Sequence, residues 1–402
     1  RQRAPGQVGV HRALDEIAGQ IPQRPPSNLF RLPIDRVFTM KGFGTVITGS
    51  LVSGKIAVGE TIMIYPSGIT SKVRGIQVHN KSADEAEVGM RTAINFQGLD
   101  KAAVNRGEVL STPDALVTSY MVDVSFHYLA SNQKPLKNRT LIRFHTGTSE
   151  VMGYLILLEQ EELPAGQTVV AQLRLDSPVA VVRDDRFVVR SYSPVRTIGG
   201  GYVLNPAPQK HKRLKPEIIQ GLQELTNSEP DEIISYHIEQ AGYSGVSLSH
   251  LKIMTNLPDK KLETQLQHLL SQKKIIQTDK ENRIFIHQAT FETLKQLFTE
   301  HLTEYHGTKP LKAGMPKEEL KSKFPLLTDA RLFNQVLNQM IKSKQIVQEE
   351  NTVRLENHRV SLGQDQADIR KKIIKTYQDG GLLPPFFSEI TKDLKADPQR
   401  TQ

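Results

Sequence analysis

Between Phe30 and Glu60, apolar and polar positions alternate as in a half-buried strand, through Leu32, Ile34 and Arg36. The pattern pauses at Gly42 and Gly44 and resumes in the β-branched run Thr45-Val46-Ile47-Thr48. It breaks again at Gly49, Gly54 and Gly59. Period two punctuated by glycine predicts short strands joined by tight turns, because glycine takes up positive φ at no steric cost. The alternation continues to about Pro113, with strands expected at 61–65, 72–76 and 92–96. A second β-rich unit is expected from about Leu116 to Pro206, with strands at 121–126, 141–145, 169–175 and 186–190. Charged residues alternating with apolar ones imply sheets with one wet face, and closing each sheet into a barrel leaves no exposed edge.

The flanks follow another period. Residues 10–21 carry Leu14, Ile17 and Ala18 at helical spacing and stop before Pro22, which predicts one short helix followed by a stiff linker through Pro25 and Pro26. A lone helix before a linker reads as the tail of a preceding domain. Past Pro206 and Pro208, the basic run Lys210-His211-Lys212-Arg213 opens a helical, repetitive composition. Leu251, Leu320 and Ile390 recur in SLSHLKIM, PKEELKSK and FFSEITKD at spacings of 69 and 70 residues, and Ile275-Ile276 and Ile346-Val347 lie 71 apart. Each of these pairs follows an amphipathic helix and precedes a polar turn and a second short strand, as in KKIIQTDKENRIFIH and KQIVQEENTVRLENH. Two helices and a two-stranded hairpin make a winged helix-turn-helix.

The fold class expected is therefore mixed and multidomain: two all-β barrels followed by tandem α+β winged-helix repeats. The boundaries are a helix and Pro-rich linker (1–26), barrels at 27–114 and 115–207, winged helices at 208–288 and 289–361, and the start of a third at 362–402. The recognition helices should span 258–271 and 329–342. The first buries Leu262, Leu266, Leu269 and Leu270 and turns Lys260, Lys261, Gln265, His268 and Gln272 outward. The second buries Leu332, Phe333, Val336, Leu337 and Met340 and turns out Arg331, Asn334, Gln335, Asn338 and Lys342. Lys260, Lys261, His268, Arg331, Asn334 and Lys342 are the candidates for contacting nucleic-acid phosphates; an ordinary solvated face would look the same.

Composition narrows the classes. A length of 402 residues suits two to four domains, and 38% hydrophobic with 24% charged residues is ordinary for a globular protein. No apolar run approaches the ~18 residues that a bilayer span needs. The first residues lack a starting Met and the apolar core of a signal peptide. With no cysteine there is no disulfide or thiol nucleophile, and the cytoplasm is the default compartment. A net charge of +9 and a pI near 9.4 suit an anionic partner or simply a basic soluble protein. The excess is even along the chain: 23 Lys+Arg against 18 Asp+Glu in residues 1–209, and 29 against 25 in residues 210–402.

Several motifs could carry chemistry. Gly49-Ser50-Leu51-Val52-Ser53-Gly54-Lys55 fits G-x-x-x-x-G-K, but Ile56 stands where Ser or Thr would hold Mg²⁺, and no helix is expected after it. A hairpin turn is the reading adopted. Gly42-Phe43-Gly44 is half a dinucleotide fingerprint followed by a strand. Gly199-Gly200-Gly201, between strands, reads as a bulged turn. His79, His127 and His145 lack metal-ligand spacing, so no metal site is expected, and no nucleophile–base pairing points to a hydrolase. Asp35, Arg36 and Arg91 fall on neighbouring strands, where an acid and two arginines are commonly a surface ion pair of little energetic weight.

LPIDRVFTMKGFGTVITG, GMRTAINFQG (89–98), RFHTGTSEVMG (143–153) and TIGGGYVLNP (197–206) occur here in one order. In that order they resemble the second and third domains of translational GTPases, and specifically of the bacterial selenocysteine-specific elongation factors. The likeness covers residues 13–206. It implies that Asp35, Arg36 and Arg91 form the pocket for the amino acid esterified to selenocysteinyl-tRNA, with Asp35 orienting Arg36. It implies tRNA-proximal packing for His145-Thr146-Gly147-Thr148. It also implies that the winged helices reach the selenocysteine-insertion hairpin of mRNA, so that selenocysteine enters at UGA codons.

The partners expected are that tRNA, that hairpin and the ribosome, with no membrane, and the chain is expected to be a monomer. The P-loop, D-x-x-G and N-K-x-D of the family's GTPase domain are not found in order. No cofactor is therefore expected in this chain, GTP and Mg being assigned to the G domain, and the chain by itself is expected to be no enzyme. The rival readings are another elongation-factor-Tu-like GTPase, which should lack the 70-residue repeats, and a winged-helix DNA-binding regulator, for whose dimer the sequence offers no heptads.

Overall fold

The computed structural model describes residues 5–20, 29–41, 44–96, 98–325, 328–358, 364–381 and 385–386. It divides into two compact units, Arg1–His237 with Ser247–Gln272, and Ile238–Val246 with Lys273–Gln402.

In the first unit, helix α1 (Pro5–Gln20) leaves Val10, Leu14 and Ile17 exposed. The proline linker expected after it lies outside the described residues. The first barrel is built from β1 (Arg31–Met40), β2 (Gly44–Ser50), β3 (Lys55–Ala57), β4 (Thr61–Tyr65), β5 (Ile69–Val78), β6 (Lys81–Ala83), β7 (Glu85–Glu87), β8 (Arg91–Phe96) and β9 (Val109–Ser111). The sheet order β4-β9-β1-β2-β8-β5 closes through the β4–β5 pairing, with β6 added beside β5. Leu32, Ile34, Ile47, Ile64 and Ile94 point inward and are fully buried, as the period of two requires.

The hairpin expected at Gly49–Lys55 does not form. Strand β3 pairs with β7 in a separate ribbon, so this segment is a crossover out of β2. Its glycines allow close approach: a Cβ on Gly49 would lie 2.3 Å from the Pro33 carbonyl oxygen, and Gly54 sits at φ +70 against the backbone of residues 29–30. A strand, not a helix, follows, so the segment has no helix N-terminus to aim at a phosphate.

The second barrel uses β10 (Ser119–Tyr128), β11 (Leu136–Lys137), β12 (Thr140–Thr146), β13 (Ser149–Leu157), β14 (Glu162–Leu163), β15 (Thr168–Val179), β16 (Arg186–Ser191) and β17 (Thr197–Asn205). Six of these close in the order β10-β15-β13-β12-β16-β17, while β11 and β14 pair outside. The core is Val122, Val124, Phe126, Ile142, Phe144, Leu155, Leu173 and Val189 with their neighbours. Gly199, Gly200 and Gly201 are not a bulged turn but lie inside β17, paired on both sides. Their reason is contact: a Cβ on Gly201 would stand 1.8 Å from the Ser125 carbonyl oxygen.

Helix α2 (Pro216–Asn227) lays Leu222 and Leu225 on Leu158, Val170 and Leu204 of the second barrel. After α3 (Pro230–Gln240) and the two-residue β18 (Val246–Ser247) come α4 (Leu248–Thr255) and α5 (Asp259–Ser271). Ser247 caps α4 through the His250 amide. Helix α5 buries Leu262, Leu266 and Leu269, with Leu270 half-buried.

The second unit holds the hairpin β19 (Ile275–Asp279) and β20 (Ile284–His287), then α6 (Gln288–Thr308), β21 (Met315–Pro316), α7 (Lys317–Ser322), α8 (Ala330–Lys342), β22 (Ile346–Glu349) and β23 (Thr352–Leu355). Strands β21-β23-β22 form one sheet. Asp329 caps α8 through the Arg331 amide, and the five apolar residues expected on its inner face are all buried, beside Phe298 and Phe324. This is the helix–helix–hairpin arrangement that the repeat predicted. Of the third copy, α9 (Gln364–Asp379) is present, and the FFSEITKD segment falls almost wholly outside the described residues.

Candidate functional site

The site assembles on the outer face of the first barrel, around β2. Antiparallel partners project to the same side of a sheet. Arg36 of β1 is opposite Thr48 of β2, and Arg91 of β8 is opposite Ser50 of β2. Thr48 and Ser50 share the outer side, because Gly49 between them faces inward. Both guanidinium groups therefore rise from one face, from the two strands that flank β2. Asp35 occupies the register shift between Ile34 and Arg36, where an extra residue breaks the alternation and lets a second consecutive side chain turn outward.

There Asp35 holds two partners. The Arg91 Nη1 group donates to Asp35 Oδ2 at 2.5 Å, and the Thr48 hydroxyl donates to Asp35 Oδ1 at 2.6 Å. Burial alone would raise this carboxyl, but the hydrogen bonds from Arg91 and Thr48, with the nearby charges of Arg91 and Arg36, hold it below the ordinary aspartate value. The carboxylate thus orients Arg91 and not Arg36, which corrects the expected pairing. The physical reason is the bulge, which presents Asp35 across β2 towards β8. Among the described residues no hydrogen bond fixes the Arg36 guanidinium, and Arg36 is exposed. The Arg91 side chain is 55% exposed and that of Asp35 23%. Two cations and one anion leave a single net positive charge on an accessible face. Thr48 was not singled out from the sequence; its only signal was a hydroxyl in a β-branched run at an outward position.

On the second barrel, the His145-Thr146-Gly147-Thr148 motif runs from β12 into its turn with β13. Arg143 pairs with Glu150 at 2.6 Å, stands 5.6 Å from the Tyr192 ring centroid, and is directly opposite Arg190. Burial first, then the charges of Arg190 and Arg143, lower the His145 pKa against the pull of Glu150. His127 Nδ1 meets the Thr168 hydroxyl at 2.9 Å, and His79 sits at φ 52 after β5. Among the described residues no three His, Asp or Glu side chains come together as a metal site.

The outward residues of the helical region divide. Lys260, Lys261 and His268 on α5, and Asn334 and Lys342 on α8, are exposed. Arg331 is engaged. Its guanidinium bonds the buried Asp279 at the end of β19 and approaches Glu281 at 3.9 Å. Gln335 of the next turn points to the Gln277 carbonyl at 3.5 Å. The N-terminal half of α8 is thereby covered by the first wing, so the structure does not leave Arg331 as an unoccupied cation.

The chain matches three family descriptions: Elongation factor Tu domain 2 over residues 44–111, the beta-barrel domain of selenocysteine-specific elongation factor over 123–210, and the winged helix of elongation factor SelB over 299–355. It is 39% identical over 359 residues to a selenocysteine-specific elongation factor of Desulfomicrobium baculatum, covering 89% of this chain and 56% of that protein. It is 26% identical over 393 residues to the factor of that name in Escherichia coli K12, covering 96% and 60%. A crystal structure of a bacterial selenocysteine-specific elongation factor, EF-Sec, shares the fold, with a TM-score of 0.67 at 22% identity over 96% of this chain and 59% of that one. The chain thus spans somewhat over half the length of the relatives it matches.

Proposed function

From a chain that belongs to the selenocysteine-specific elongation factors over its β-barrels and winged helices, we propose that it holds selenocysteinyl-tRNA with its barrels and selects the selenium-bearing amino acid by charge. The observation that carries this reading is the Asp35–Arg91 pair beside Arg36 on one barrel face.

A selenol is largely ionised at neutral pH, whereas the serine it must be told from is neutral. A face with one net positive charge complements one selenolate and offers a hydroxyl little. Exposure weakens the effect in the unliganded chain. Two unit charges at 4 Å attract by about 1 kcal/mol in water but by about 4 kcal/mol where the effective dielectric is 20. Discrimination therefore grows when the charged end of the tRNA covers the face and excludes water. Arg91, held by Asp35, is preorganised and loses less side-chain entropy on binding. Arg36 is the guanidinium not already claimed by a carboxylate.

In this reading Arg143 and Arg190 of the second barrel supply cationic contacts for the tRNA body, and the exposed Lys260, Lys261 and Lys342 are directed to the mRNA hairpin at UGA. GTP hydrolysis with Mg²⁺ belongs to the G domain of the whole factor, which acts with the ribosome. Removing either guanidinium should cost about 1.5–3 kcal/mol of binding to the charged amino acid, the range for hydrogen bonds to ions. Arg36→Ala and Arg91→Ala in the full-length protein are expected to weaken selenocysteinyl-tRNA far more than seryl-tRNA, measured by equilibrium binding of both. Equal losses for the two tRNAs would remove the assignment.

A further inference from the structure

One short segment of the second barrel, Val182–Asp185 between β15 and β16, reaches three neighbours at once. Towards the first barrel, Asp185 receives a fork from Arg31: Nη1 and Nη2 reach Oδ1 at 2.9 Å, and Nη2 reaches Oδ2 at 2.7 Å. The side chains are only 11% and 19% exposed, and Asp185 Oδ2 also accepts the Val182 amide at 3.0 Å. Val182 and Ala180 of the same stretch of chain pack in one apolar cluster with Tyr65 and Leu116. Arg31 opens β1, the strand that carries Asp35 and Arg36 four and five residues later.

The other two contacts lead to the helical side. Arg183, 4% exposed, donates from Nη1 to the Leu204 carbonyl at 3.0 Å and from Nη2 to the Leu225 carbonyl at 2.6 Å. Leu225 lies in the last turn of α2, where carbonyls lack helical partners and the dipole favours a cation. The Arg183 carbonyl in turn accepts the side-chain amide of Asn256, the left-handed cap of α4, at 3.1 Å. The Nη groups of both arginines are taken up by these partners, although the Nε of each is buried without a hydrogen bond. Sliding would strip a buried cation of the acceptors it has, which is costly, so these geometries resist it.

We propose that Val182–Asp185 is the joint that fixes the alignment of the two barrels, and that Arg31 and Asp185 are positioning residues for charged-tRNA binding. The inference rests on the tRNA reading above. A ligand that touches both barrels binds more tightly when they are already aligned, because binding then costs no further ordering of one barrel against the other and the second contact is made at a higher effective concentration. Residues that touch no tRNA then set affinity through alignment, while the choice between selenium and oxygen stays with Arg36 and Arg91.

These 402 residues contain no cysteine, so once any cysteine elsewhere in the full-length protein is replaced, Lys81→Cys on the first barrel and Glu162→Cys on the second accept a dye pair cleanly. In the full-length protein the distance distribution between the dyes should be narrow. Asp185→Asn and Arg31→Ala are expected to broaden it and to weaken both selenocysteinyl-tRNA and seryl-tRNA by about tenfold or more, with their ratio unchanged. Arg31→Lys, which keeps the charge but not the fork, should fall between and serves if Arg31→Ala folds poorly. A broadened distribution with undiminished affinity overturns the proposal, as does an unbroadened one. The tRNA reading fails separately, if Arg36→Ala and Arg91→Ala leave the selenium preference intact while the alignment variants still broaden the distances.

Discussion

Thr48 shows how much one hydroxyl can decide. Both oxygens of Asp35 are taken, one by the cation of Arg91 and one by the neutral donor on the strand between. Thr48→Val keeps the shape and removes the proton. The carboxylate then has one fixed oxygen and can swing towards Arg36, which shifts the positive charge away from where a selenolate would sit. Such a bond to an ionised acceptor is worth about 1.5–3 kcal/mol, so selenium preference should fall by about tenfold or more. Thr48→Ser is expected to restore it. The check is the ratio of selenocysteinyl-tRNA to seryl-tRNA affinity beside a thermal melt; an unmoved ratio would mean that Arg91 needs no such support. The alternation put Asp35, Arg36 and Arg91 on neighbouring strands, but only the family resemblance set them apart from an ordinary surface ion pair. Which arginine the acid grips could not be read from the sequence, since that depends on a one-residue register shift that no alternation pattern records.

At the scale of elements, the two periods located strands and helices well. What they missed is contact between elements far apart in the chain. A helical wheel places Arg331 outward on α8, yet the carboxylate that occupies it belongs to Asp279, 52 residues upstream. Arg331→Ala is therefore expected to loosen the first wing, seen as faster amide exchange in β19 and β20, with little change in the salt dependence of the proposed RNA binding; the opposite pattern would return Arg331 to the candidate RNA-facing residues. The glycine triad failed for the same reason, because only the facing strand makes a side chain impossible there. Helix α3 yields a pH prediction. Burial first, then the charges of Arg183 and His250, press the His237 pKa down to about 3 from the usual 6.5. A group lowered on folding binds fewer protons in the native state, so its stabilisation is complete above pH 6.5 and is lost as pH falls towards 3. Melting temperature should drop through that window, and His237→Phe, which cannot charge, should flatten the drop.

For the whole molecule, charge is the property that matters to anionic partners, and composition alone describes it poorly. A net +9 spread evenly over both halves suits an anionic partner but does not say where one would bind. The structure sorts the cations by what already holds them. Arg31, Arg183 and Arg331 are spent inside the protein, whereas Lys260, Lys261 and Lys342 are exposed. Phosphate contacts release counterions and so appear in the salt dependence, each adding about 0.7–0.9 to the slope of log affinity against log salt. A contact to an amino-acid side chain releases no condensed counterion, and its loss lowers affinity at every salt concentration without changing the slope. If the exposed lysines face the mRNA hairpin, Lys260→Ala with Lys261→Ala should lower the hairpin slope by about 1.4–1.8 and leave the selenocysteinyl-tRNA slope alone. Arg91→Ala should do neither, and should instead displace the selenocysteinyl-tRNA line in parallel. Titrations of both RNAs across a salt series read all three outcomes. Were the double lysine variant to flatten the tRNA line instead, the helical cations would have to be assigned to the tRNA, and the division of labour between barrels and winged helices would be lost.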